Sequence, residues 1–105
     1  MSNSATLLSQ FEQRLGETTR LDIDAEPLIT QQGLDHIVIE GRAEVVTWDD
    51  AIAIVENPTW YEILKIAHDY LERSQNDDYR YFEGLNPDRS AGTSVLPRYA
   101  IFLGS

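Results

Sequence analysis

Pro58 divides the stretch from Thr47 to Ser74 into two pieces that cannot be one continuous helix. Its ring removes a backbone N–H and clashes with the carbonyl four residues back, and it pushes the preceding Asn57 out of the α region. Each piece opens on nearly the same phrase: Thr47-Trp48-Asp49-Asp50, and, twelve residues later, Thr59-Trp60-Tyr61-Glu62. A threonine hydroxyl can cap a helix start, and an acid three residues on can reach back to the cap's own N–H. The spacing therefore predicts two helices joined at a sharp corner. The first gathers Trp48, Ala51, Ile52 and Val55 on one face. The second gathers Trp60, Ile63, Leu64, Ala67 and Leu71, widened by Ile66 and Tyr70. Each indole then begins an inward stripe, so the repeated phrase reads as helix-start grammar rather than as a ligand motif.

The other elements follow from period and punctuation. Ser4 can cap a helix over 5–15, with Leu7, Leu8, Phe11 and Leu15 in one stripe and Gly16 as its left-handed exit; residues 1–3 are expected to be loose. Arg20 to Glu26 alternates apolar and acidic residues at strand period, and Pro27 ends that run or marks an edge. Leu28-Ile29-Thr30 reads as a short continuation and Gln31–Gly33 as a turn. Ile37-Val38-Ile39 is a β-branched run within an expected strand over 34–40, with Gly41-Arg42 as turn and Ala43–Val46 as the returning strand. The Pro58-initiated helix runs to about Ser74, and Glu62, Lys65, Asp69 and Arg73 form its solvated face with Lys65–Asp69 and Asp69–Arg73 at ion-pair spacing. Tyr79–Leu85 and Arg98–Leu103 read as strands around a long surface loop over 86–97. Strands and helices are grouped rather than alternating. The expected architecture is α+β: a small antiparallel sheet of about four strands, with the N-terminal helix and the helix–corner–helix pair on one face, in a single domain over 1–105.

Composition narrows the function classes. With 42% hydrophobic and 25% charged residues, the 105-residue chain has enough apolar surface for one packed core. Its formal net charge of −10 repels phosphate backbones and anionic lipid headgroups, so neither nucleic acid nor a membrane surface is an expected partner. The absence of cysteine excludes disulfides, thiolate metal sites and a cysteine nucleophile. No apolar run approaches transmembrane length, and residues 1–17 lack the basic start and apolar centre of a signal peptide. A cytosolic location fits this pattern.

Asp22-x-Asp24-x-Glu26 places three carboxylates at alternate positions, as at the start of a calcium loop. The sixth and twelfth positions, however, are Pro27 and Gly33 rather than glycine and glutamate. On a strand the three acids line one face and suit a basic partner; no metal or other cofactor is expected. His68 stands one turn beyond Leu64 and two beyond Tyr61, with Glu72 a turn further on. A histidine beside a carboxylate can serve as a general base. A small enzyme or ligand-binding domain using His68, Glu72 and Tyr61, with the 86–97 loop as a lid, is thus an alternative reading. Arg89–Ser94 could cradle a phosphate with backbone N–H groups, but lacks the lysine and spacing of a P-loop.

The aromatic residues Tyr79, Tyr81, Phe82, Tyr99 and Phe102 fall around the C-terminal strands. Exposed tyrosines beside Arg80 and Arg98 have the composition of protein–protein hot spots. Taken together, the leading expectation is a non-enzymatic adaptor, regulator or assembly factor. It would dock on a basic patch of another protein through Asp22, Asp24, Glu26, Tyr79, Arg80, Tyr81, Arg98 and Tyr99. A nucleic-acid mimic presenting carboxylates in rows is a further alternative.

Overall fold

The computed structural model describes residues 3–23, 27–75, 77–88 and 95–104. Three helices and four strands follow one another as α1 (Asn3–Leu15), α2 (Pro27–Gln32), β1 (Arg42–Val46), β2 (Ile52–Glu56), α3 (Trp60–Ser74), β3 (Tyr81–Pro87) and β4 (Arg98–Gly104). The fold is α+β. Its sheet is mixed, in the order β2-β1-β4-β3, with antiparallel edges and a parallel β1–β4 pair at the centre.

The departure from a wholly antiparallel sheet has a topological cause at Thr47–Glu56. These residues form a turn and a strand, not the first helix of a corner pair: β2 returns along β1 with Val45 opposite Ala53 and Ala43 opposite Val55. The single helix α3 then carries the chain back across the sheet, so β3 runs in the same sense as β2. β4 turns back on β3 and must therefore lie parallel to β1. Apolar runs this short fit either period, and here the β-branched residues of Ile52-Ala53-Ile54-Val55 favour the pleated surface. Thr47 accordingly caps no helix. Its carbonyl accepts the Asp50 N–H and its hydroxyl donates to Asp49, while Asp50 takes a left-handed φ of 64° to close the turn.

The Pro58-initiated helix forms as its sequence requires. Thr59 caps α3 by accepting the Glu62 N–H at 3.3 Å, and Gln75 ends it in the left-handed region. Trp60, Ile63, Leu64, Ala67, Tyr70 and Leu71 are buried. Residues 34–40 are not a sheet strand. Their carbonyls are spent on the start of α3, where Leu34 accepts the Tyr61 N–H and His36 the Trp60 N–H. Ile37 makes a lone bridge with Thr59. These bonds satisfy helix donors that have no intrahelical acceptor.

Asn3 already belongs to α1, where Leu7 and Phe11 are buried one turn apart. Gly16, at φ 81°, donates to Glu12 as the left-handed exit. The alternation at 21–23 is real, with Leu21 and Ile23 buried, but it yields one parallel bridge, Asp22 with Tyr81, rather than a full strand. Residues 28–30 belong to α2, not to a strand. Pro27 occupies the first helical position, where its missing N–H costs nothing, and Gly33 donates to Ile29 at the far end. Leu7, Phe11, Leu21, Ile23, Ile29 and the α3 stripe meet Val45, Phe82, Ile101 and Leu103 of the sheet in one core. No helix of the described residues is long and apolar enough to cross a membrane.

Candidate interaction surface

All the helical packing lies on one face of the sheet, and register determines what occupies the other. Ile52 is opposite Val46, Val46 opposite Ala100, and Gly84 opposite Phe102. Because side chains alternate along a strand, Ile52, Ile54, Val46, Ala100 and Phe102 share the face turned away from the core residues Val45, Ile101 and Leu103. Ile52, Ile54 and Phe102 are 47%, 54% and 48% exposed. A sheet with one solvated face ordinarily turns polar residues outward. Here the polar members at the centre are Glu44 and Arg98, and they neutralise one another through a 2.9 Å contact in which both are largely buried.

Trp48 extends this face at the end of β1. It is 46% exposed, contrary to the inward position expected for a first-turn helix residue. The turn that replaces that helix leaves the indole lying across β4, donating its N–H to the Ile101 carbonyl at 3.0 Å. Its ring centroid is 5.4 Å from that of half-exposed Tyr79. Trp60 behaves as expected: buried, with its N–H donated to Gln32 at 2.8 Å.

Charged groups fix the turn that carries Trp48. Arg73 on α3 donates from Nε to Asp49 Oδ2 at 3.0 Å and from its terminal nitrogen to Asp49 Oδ1 at 3.2 Å. Arg73 thus pairs across the fold rather than with Asp69, whose salt bridge is to Lys65. The guanidinium, helped by the Thr47 hydroxyl, lowers the Asp49 carboxyl to about 2, and Asp49 in turn raises Arg73.

The residues singled out by sequence do not form one patch. Asp22, Arg80 and Tyr81 line a shallow depression with Asp77, Asp78 and Gly104, and Tyr79 adjoins this end of the sheet through Trp48. Tyr99 is at the opposite end of the β3–β4 ladder, opposite Pro87, in a cleft with Trp60, Leu85 and His36. Arg98 is committed to Glu44 on the outer face. Asp24, Glu26 and the Arg89–Ser94 stretch lie outside the described residues. Trp48 and Ile52 are missed as surface residues because a helical reading puts them on its buried side, and that reading gives Ile54 no place on the stripe at all. Read at period two, Ile52-Ala53-Ile54-Val55-Glu56 already separates two isoleucines from the core-facing Ala53 and Val55.

The group proposed for an enzyme does not converge. His68 is 1% exposed and packed edge-on to Phe11; Nδ1 meets the Thr19 hydroxyl at 2.7 Å and Nε2 meets Glu17, not Glu72, at 3.1 Å. Glu72 pairs with Arg20 at 3.4 Å, and Tyr61 packs between Phe11 and Arg14. Among the described residues, no group of three or more His, Asp or Glu side chains is placed to hold a metal ion. No family model, curated protein or solved structure matches the chain.

Proposed function

We propose that the chain is a protein-interaction module, an adaptor, regulator or assembly factor, that docks on a partner through the outer face of its sheet. The carrying observation is the alignment of half-exposed Ile52, Ile54, Trp48 and Phe102 on a face over which no described helix packs. An exposed apolar surface of this kind is uncommon on a chain with no partner, and large aromatic residues are a usual source of binding energy. Asp50, Glu56, Asp77 and Asp78 are exposed around it, and the net charge of −10 favours a partner with a basic rim.

Of the acidic and aromatic residues first singled out, Asp22, Tyr79, Arg80 and Tyr81 fit this role as neighbours of the Trp48 end. Arg98, paired with Glu44, would contribute only from the far end of β4, and Tyr99 falls on the side of the sheet that Ile101 shares, away from this surface. The test is quantitative affinity capture at low and high salt. A specific partner retained at low salt, with faster loss as salt rises, supports the reading. If no protein is retained at either ionic strength, the reading fails.

A further inference from the structure

The two edges of the sheet are built differently. The β3 edge carries an irregularity between Phe82 and Gly84, Gly84 itself at φ 149°, and Pro87 near its end, and the Leu21–Ile23 segment bridges it at Tyr81. Bulges, proline and covering segments are the ordinary means of keeping a strand edge from pairing with another chain. Among the described residues, the β2 edge shows none of these. Ile52-Ala53-Ile54-Val55-Glu56 contains no proline or lysine, pairs with β1 without a register shift, and is the outermost described strand on its side.

The register also tells which backbone groups face outward. Asn57 donates to Gly41 at one end of the hairpin and Thr47 to Ala51 at the other. Hydrogen-bonded pairs in an antiparallel ladder recur at every second residue, so the intervening ones are Ala43–Val55 and Val45–Ala53. The N–H and C=O groups of Ile52, Ile54 and Glu56 therefore point to the open edge. Their side chains lie on the same apolar face as Phe102. Beside that edge, between β2 and α3, is a cleft of about 150 Å³ bordered by Ile52 and Ala53 with Thr47 and Ala51 on one side and by Ile66, Asp69 and Arg73 on the other.

We propose that β2 accepts an extended segment of a basic partner protein as a fifth strand, with apolar side chains continuing the outer face and lysine or arginine side chains turned toward α3. This rests on the docking function proposed above and specifies its geometry. Charge chooses the occupant. At the edge, Asp49 and Asp69 are already paired with Arg73 and Lys65, which leaves exposed Asp50 and Glu56 against Arg42 opposite Glu56, and the whole chain carries −10. A second copy would bring the same excess of acid to the same edge, whereas an alternating basic strand neutralises it. Main-chain pairing supplies affinity and the alternate side chains supply selectivity.

The experiment uses the whole chain and a ten-residue peptide alternating valine and lysine, with amide hydrogen exchange as the readout. Exchange at Ile52, Ile54 and Glu56 slows at least about tenfold when the peptide binds, with smaller changes elsewhere in the sheet. A peptide alternating valine and glutamate leaves these amides unchanged. A valine–lysine peptide N-methylated along its bonding edge also fails to bind the unaltered chain, which makes the outcome independent of any effect of substitution on folding. Ile54→Pro, which removes an N–H outside the β1 ladder, abolishes the protection. Equal binding of the methylated peptide, binding without protection at these three amides, or no binding of the valine–lysine peptide overturns edge pairing. Protection that grows with protein concentration in the absence of peptide assigns the edge to a second copy and overturns it too. The docking function fails on a separate result, the absence of any partner in affinity capture.

Discussion

The Trp48 indole donates its N–H to the Ile101 carbonyl at 3.0 Å while nearly half of the residue stays open to solvent. A hydrogen bond to a central strand ties the ring to the end of the sheet, so its exposed apolar surface is presented from a fixed position. Rigid aromatic groups lose little conformational freedom when a partner covers them, which is what a docking anchor requires.

The two tryptophans are expected to differ in quenching. In Trp60→Phe, the remaining Trp48 emission is readily quenched by acrylamide. In Trp48→Phe, emission from Trp60, buried against Phe82 with its ring centroid 6.1 Å away, is shielded. Equal quenching constants for the two variants would contradict the placement of Trp48.

Neighbouring residues of β4 should respond oppositely to truncation. Ile101 faces the core and is 1% exposed, whereas Phe102 faces outward. Ile101→Ala is expected to cost about 2–5 kcal/mol, through lost burial and the cavity left behind, and Phe102→Ala about 1 kcal/mol or less. Denaturant unfolding of the pair checks the register directly, since a slip of one residue would reverse the order.

The Asp49–Arg73 pair sets a pH dependence. Asp49 is lowered from 3.8 to about 2 by Arg73 and the Thr47 hydroxyl. A carboxyl depressed in the folded state stabilises it fully above the unfolded value, and that stabilisation is lost as pH falls from about 4 through about 2. Both side chains are more than a third exposed, so solvent screening limits the coupling to about 0.5–1 kcal/mol. An NMR titration of the Asp49 carboxyl should give a midpoint near 2 that returns toward the ordinary value in Arg73→Leu.

His68 is expected to matter for folding. Replacing it with leucine deprives the Thr19 hydroxyl and the Glu17 carboxylate of their partner and should cost about 2–4 kcal/mol in denaturant unfolding. A neutral effect would show that the buried ring is not holding the Glu17–Leu21 segment against α3.

Gln75 ends α3 at φ 54°, a left-handed conformation that strains a residue with a Cβ. Gln75→Gly should therefore stabilise the chain by about 0.5–1 kcal/mol, read as a raised melting temperature, provided its N–H still reaches the Leu71 carbonyl.

The parts of the fold legible in the sequence were those where several local signals agreed. α3 has Pro58, a threonine cap, an acid at the third position and an unbroken apolar stripe, and it forms where expected. α1, β1, β3 and β4 also lie close to their expected positions. Thr47–Glu56 misled because a threonine followed by acids serves a turn as well as it serves a cap, and because five residues are too few to distinguish periods. Residues 34–40 have strand composition, but their carbonyls bind the start of α3, a partner invisible to local pattern. The interaction surface suffered most from these errors. Tyr79 was legible as an exposed aromatic, whereas Ile52 and Ile54 acquire an outward position only once β2 is recognised as a strand.

The most direct measurement is affinity capture from one native extract with the unaltered chain and with the double variant Ile54→Thr/Phe102→Thr, whose fold is checked by its amide spectrum. Threonine keeps a β-branched side chain while removing most of the apolar surface from the face. A defined partner is expected to be retained by the unaltered chain and lost from the variant. Identical retention by both would place recognition elsewhere and contradict docking through this face.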